Sequence, residues 1–168
     1  MKPQSKKLMT GLAGEYLVAG MMSMRGWVAS LTLKNYPGVD IFGMRPENNS
    51  NEVVNIQVKT TRDNTFWVGL MHSDMKTIRD HIKGPYVFVH LPKEDECEQS
   101  VLDLSSVDFY ILSKSQVIEI IQTTDEAYQK KDRGNRQLKE DYSVALLLKR
   151  DYELLAPFKD QWDNLWEK

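Results

Sequence analysis

The segment Gln57-Val58-Lys59 closes an apolar run, Val53-Val54-Asn55-Ile56, and two carboxylates precede it, Glu15 and Asp40. In an extended strand successive side chains point to opposite faces, so Asn55, Gln57 and Lys59 share one face while Val54, Ile56 and Val58 share the other. An amide and an ammonium on a packed sheet are costly unless they meet partners. Asp40 and Glu15 are the candidates for that role. Carboxylate and amide oxygens suit a hard cation, and a lysine suits the charge of an attacked phosphate, so the set points to metal-assisted hydrolysis of a phosphodiester.

These groups need elements to position them. Leu8, Leu12, Ala19 and Met22 recur at helical spacing, which predicts a first helix over about 8–24 that stops near Gly26. Glu15 falls within that stripe, on the inward face, where an ionised carboxylate requires a partner or a cation. Trp27–Leu31 is expected to be a strand, Lys34–Gly38 a turn, and Val39–Gly43 a second strand carrying Asp40. Asn48–Asn51 is expected as a hairpin loop leading into a long strand over 52–61, so the strands bearing Asp40 and Gln57/Lys59 should be antiparallel neighbours.

Further on, Phe66–Leu70 is expected to be a short strand, and Ser73-Asp74 to cap a helix running to about Ile82, ended by Gly84-Pro85. Tyr86–Leu91 and Asp108–Leu112 follow as apolar runs of parallel-strand type. Ser113 should open a helix reaching about Lys130. Ser143–Leu148 fits a strand or a helix start, and Ala156–Trp166, with Pro157 near its start, a C-terminal packing helix. No repeat, low-complexity tract or linker divides the chain. Its 168 residues are expected to form one domain, of class α/β, with a central mixed sheet of five or six strands flanked by helices.

The hydrophobic fraction of 41% and charged fraction of 27% fit a soluble globular protein, and no apolar run approaches the roughly 18 residues of a membrane span. The basic start, Met1 to Lys7, lacks the apolar core of a secretion signal. A single cysteine, Cys97, cannot form an internal disulfide, so a reducing cytoplasm is the expected location. The net charge of −2 argues against a protein that coats nucleic acid through many phosphate contacts. It does not exclude a nuclease, because local distribution decides. Lys130, Lys131, Arg133, Arg136 and Lys139 form the most basic segment, which fits either a DNA contact or a solvated helix end.

Gly11-Leu12-Ala13-Gly14-Glu15 in a first helix, Gly38-Val39-Asp40 on a hairpin strand and Gln57-Val58-Lys59 on the next together resemble the PD-(D/E)XK nuclease superfamily, over residues 8 to about 112. The resemblance implies a restriction-endonuclease-like core and a Mg²⁺- or Mn²⁺-dependent endonuclease acting on DNA. Val39 stands where that family often has Pro. Gln57 stands where it usually has an acid, a QxK variant that occurs in active members. The implied roles are Asp40 as first metal ligand, Glu15, Gln57 and the Val58 carbonyl as supporting ligands, and Lys59 as the group that orients water or stabilises charge. Thr60, Thr61 and Arg62 could touch the phosphate backbone. Homodimers are expected where both strands are cut.

Blander assignments compete. Asp40 could serve the Pro37-Gly38 turn, Gln57 and Lys59 could be the solvent face of an edge strand, and Glu15 could pair with Arg25 or Lys59 without metal. His72, His81 and His90 share no ligand spacing. Trp67 is expected to pack in the core rather than meet a base, and Met21-Met22-Ser23-Met24 to fill core space. No phosphate-binding glycine loop, nucleophile elbow or zinc-protease motif is present. Two other functions remain open: an inactive domain of the same fold that binds nucleic acid or a protein, and an antagonist or assembly subunit of a defence or mobile-element system that uses the acidic stretch 93–98.

Overall fold

The computed structural model describes residues 3–33, 37–46, 52–71, 79–93, 104–131, 143–147 and 152–166. A helix over Pro3–Met24 (α1) leads into strands Val28–Leu31 (β1), Ile41–Met44 (β2), Val53–Thr61 (β3) and Thr65–Met71 (β4). Then come strands Tyr86–His90 (β5) and Asp108–Leu112 (β6), a helix over Lys114–Lys131 (α2), strand Ser143–Leu147 (β7) and a short helix, Tyr152–Leu155 (α3). Among these residues no helix is long and apolar enough to cross a membrane. The expected hairpin loop 48–51 and most of the helix expected before Ile82 lie outside the described residues.

Five strands form a mixed sheet in the order β1-β2-β3-β5-β6. The pairs β1·β2 and β2·β3 are antiparallel, as the short connections require, and β5 joins β3 in parallel. The expectation that Asp108–Leu112 is also a parallel-type strand is corrected, because β6 runs antiparallel to β5. A wholly apolar strand signals burial on both faces, not direction, and both strands are buried that way. Phe66–Leu70 is a strand as expected, but it stands outside the main sheet in an antiparallel ribbon, β4 with β7. Ser143–Leu147 is thereby settled as a strand.

Alternation sorts the core into two layers. Ile56, Val58, Val87, Val89, Phe109 and Ile111 face Val18 and Met22 of α1, while Tyr86, Phe88, Tyr110 and Leu112 face Val117, Ile120 and Ile121 of α2. Phe66 joins the second layer, edge to face with Phe88 at 5.1 Å between ring centres. The buried ridge of α1 is Gly14, Val18 and Met22, rather than the stripe through Leu8, which is 48% exposed. Gly26, at φ 81°, ends α1 in the left-handed conformation that glycine adopts without strain. Of the methionine run, Met22 is core and Met24 is exposed.

Ser113 starts α2 with a reciprocal cap: Gln116 N–H donates to Ser113 Oγ at 3.4 Å, and Ser113 N–H donates to Gln116 Oε1 at 2.8 Å. Replacing Ser113 by Ala is expected to cost about 1 kcal/mol in a urea melt. The C-terminal packing helix expected over Ala156–Trp166 is corrected to two 3-10 turns, Ala156–Phe158 and Trp162–Leu165. Between them Lys159 is extended and bridges to Tyr110, and Asp160 adopts φ 56°. The open edge of β6 explains the break. Asp160 N–H donates to Phe109 O at 2.9 Å and the Asn164 amide to Ile111 O at 2.8 Å, satisfying carbonyls a helix could not reach. Lys159 Nζ also meets Asp108 at 2.6 Å.

Candidate active site

Asp40 lies just before β2, and its backbone is held from both sides. Its carbonyl accepts from Thr32 N–H at 2.9 Å and its own N–H donates to Ile56 O at 2.8 Å. Thr32 Oγ1 donates to Val39 O at 2.8 Å and locks the same segment to the end of β1. Gly38, at φ 78°, makes the preceding turn, so Asp40 is free of that task. Its carboxylate instead reaches across to β3: Oδ2 accepts from Val58 N–H at 2.7 Å and from the Gln57 side-chain amide. These partners lie 17 and 18 residues away, which removes the local-turn assignment.

Strand geometry explains the arrangement. Gln57 N–H donates to Pro85 O at 3.1 Å, on the β5 side, so Val58, one residue further, turns its main-chain N–H and C=O toward the β2 side. The β2·β3 pairing ends at Ile41 with Ile56, and Val58 projects past it beside Asp40. Gln57 and Lys59 lie in register with Tyr86 and Phe88 on β5. Gln57 is 8% exposed on a strand with neighbours on both edges, so the solvent-face assignment fails.

Asp40 Oδ1 accepts no hydrogen bond among the described residues, and Gln57 directs its NH₂ at Asp40, which leaves Oε1 as an unbonded oxygen. One carboxylate oxygen is thus anchored while the other is presented, the usual way a second layer of hydrogen bonds orients a metal ligand. Asp40 and Glu15 line the same cleft, of about 660 Å³, together with Leu12 and Thr32. Glu15 reaches it from α1, which packs on the sheet face opposite to Gln57 and Lys59. The residue that lets α1 lie so close is Gly14: a Cβ there would stand 1.9 Å from Thr60 Oγ1.

Burial pushes the Asp40 carboxyl above the usual carboxylate range, against the opposing pull of the Val58 N–H, the Lys59 charge and the Gln57 amide. Burial also pulls the Lys59 ammonium below its ordinary value, with Asp40 acting the other way. Lys59 makes no hydrogen bond or ion pair among the described residues, so it is not neutralised by Glu15. The Tyr86 phenol is pushed up to about 12 by burial and by the Asp40 charge. Sequence reading missed Tyr86. Its only signal was a polar ring opening an apolar strand, and its register with Gln57 is set by long-range pairing.

The other expected residues divide. Arg62 Nη1 donates to Pro92 O, tying the end of β3 to the chain after β5. Thr61 Oγ1 accepts from Asp63 N–H at 3.0 Å. Lys130 and Lys131 end α2, while Arg133, Arg136 and Lys139 lie outside the described residues, as do His72, Cys97 and residues 94–98. Trp67, expected in the core, is 58% exposed, because alternation along β4 buries Phe66 and Val68 instead. Arg25 lies 4.4 Å over the Trp162 ring and donates to Met21 O. No family model matches the chain, and no curated protein or solved structure matches it either.

Proposed function

We propose that this chain is a Mg²⁺- or Mn²⁺-dependent endonuclease that hydrolyses DNA, built on a restriction-endonuclease-like core of the PD-(D/E)XK type in its QxK form. The observation that carries the reading is the Asp40 carboxylate, anchored through Oδ2 by Val58 N–H and the Gln57 amide with Oδ1 left to bind. The topology supports it: an opening helix, an antiparallel meander that brings Asp40 beside Gln57 and Lys59, then a parallel strand.

The donor set fits a hard cation. Asp40 Oδ1, Gln57 Oε1 and the Val58 carbonyl are all oxygens, and Glu15 approaches Asp40 from the α1 side of the sheet, in the cleft that those two share. Among the described residues no three His, Cys, Asp or Glu side chains group as ligands, so binding rests on two carboxylates and neutral oxygens and is expected to be weak. A bound divalent cation would neutralise charge on the phosphate and acidify a water. Gln57 and the Val58 N–H keep the Asp40 oxygen aimed. Lys59, partly buried and without an ion pair among the described residues, would place a positive charge beside the attacked phosphate, and its lowered proton affinity lets it exchange a proton with the incoming water.

Incubation of plasmid DNA with Mg²⁺ or Mn²⁺ tests this. Cutting that needs metal and falls at least about 10²-fold in both Asp40→Asn and Lys59→Ala supports the enzyme. The neutral Gln57 favours a second reading, an inactive domain that binds nucleic acid or a protein partner. Tight DNA binding with no cutting in either metal is its signature. The basic residues Lys130 and Lys131, with Arg133 and Arg136, are the proposed DNA contacts, and a homodimer would serve double-strand cleavage.

A further inference from the structure

The cleft beside Asp40 is larger and more apolar than a cation and a phosphate require. Its volume of about 660 Å³ falls in the range of pockets that enclose one small organic ligand, about 300–1,000 Å³. Its wall is built by Leu8, Leu12 and Leu33, of which Leu8 is 48% and Leu33 90% exposed. Lys7 also lines it and makes no hydrogen bond or ion pair among the described residues, while the carboxylates Glu15 and Asp40 complete the lining. Solvent-facing leucines gathered beside a site for charged chemistry mark a surface that meets something apolar.

A paired duplex keeps the flat faces of its bases stacked inside and shows only their edges in the grooves. An unpaired nucleotide exposes such a face: a flat apolar base joined to an anionic phosphate, matching a leucine wall beside an ammonium and a cation site. Resting on the nuclease reading, we propose that the cleft seats one unpaired nucleotide beside the scissile phosphate. The base lies against Leu8, Leu12 and Leu33, and Lys7 takes a flanking phosphate. The substrate is therefore DNA that is locally out of duplex, either a single strand or a flap.

Gly11 provides a plug. It lines the cleft, and a Cβ built there meets nothing within 4 Å, so the Gly11→Leu side chain starts in open space at the cleft wall. Gly20 on the same helix is equally open and outside the cleft lining, which makes Gly20→Leu the matched control. Both changes raise helix propensity, so neither should lower the melting temperature. Binding to fluorescent single-stranded, flapped and fully paired DNA would be measured in Ca²⁺, and cutting in Mg²⁺.

The wild type and Gly20→Leu are expected to bind and cut the single strand or the flap at least tenfold better than paired DNA, and Gly11→Leu to lose that preference. A preference shown by the flap alone or by the single strand alone identifies which unpaired form is used. Equal handling of paired and unpaired DNA, or a Gly11→Leu protein indistinguishable from Gly20→Leu, overturns the proposal even if cutting is metal-dependent. Preferential binding of unpaired DNA that Gly11→Leu abolishes, without cutting in any metal, upholds the pocket and defeats the nuclease reading.

Discussion

The double variant Asp40→Asn/Lys59→Met is expected to melt a few degrees above the wild type while losing at least about 10³-fold in DNA cutting. Both wild-type groups are held where burial disfavours their charged forms. Neutralising two partly buried charges that form no ion pair with each other removes their desolvation cost, and exchanging buried charges for well-packed neutral residues is often stabilising by about 1–4 kcal/mol. The low end applies here because Asp40 keeps some contact with solvent, which screens the cost. At roughly 2–4 °C per kcal/mol for a chain of this size, the gain is measurable in a thermal melt. The asparagine retains an oxygen for the Val58 N–H, and the methionine fills most of the space of the lysine stem.

The pH dependence has a definite sign. The folded Asp40 holds its proton more tightly than the unfolded residue, so stability falls as pH rises from 3.8 to the raised folded value. The folded Lys59 holds its proton less tightly, so stability rises with pH from its lowered folded value toward 10.5. Between those windows both charges are present at a cost to folding. The gain in the double variant should therefore be largest near neutrality and shrink toward acid and alkaline pH. A double variant that melts below the wild type at neutral pH would mean a structural ion pair rather than a strained site.

Gly14→Ala is expected to lower stability by about 1–3 kcal/mol and to reduce cutting by more than unfolding explains. The new Cβ would stand 1.9 Å from Thr60 Oγ1 and 2.9 Å from Thr60 Cβ and Cγ2, on a central strand that cannot yield. α1 must lift, and Glu15 moves with it relative to Asp40. Thr60→Ala removes two of the three clashing atoms, so Gly14→Ala/Thr60→Ala should recover much of the lost stability. Urea melts of the four proteins measure this. Strict additivity of the two single effects would show that helix approach is not the cause.

Where chemistry follows from alternation, the sequence was legible. The period of two in Val53–Lys59 placed Gln57 and Lys59 on one face, and the short connections made β2 and β3 antiparallel, which brings Asp40 beside them. The amide-to-carboxylate bond and the Val58 N–H could not be foreseen. They depend on β2 starting late enough to leave Val58 beyond the paired register. Glu15 was placed on the inward face, yet the close-packed line runs through Gly14, because glycine carries no apolar weight in a periodicity argument. The C-terminal segment has a helical pattern in Phe158, Trp162 and Leu165, but the unsatisfied edge of β6 outweighed it. Trp67 looks like core by residue type, whereas its parity along β4, opposite to that of Phe66 and Val68, is what decides.

Metal binding at this site depends on the Asp40 oxygen that accepts no hydrogen bond among the described residues, and Mn²⁺ binding followed by electron paramagnetic resonance reads it without needing a substrate. The wild type is expected to bind Mn²⁺ at a site that Asp40→Asn abolishes and that Glu119→Gln, an exposed change on α2, leaves intact. Equal Mn²⁺ binding by the wild type and Asp40→Asn would contradict that dependence.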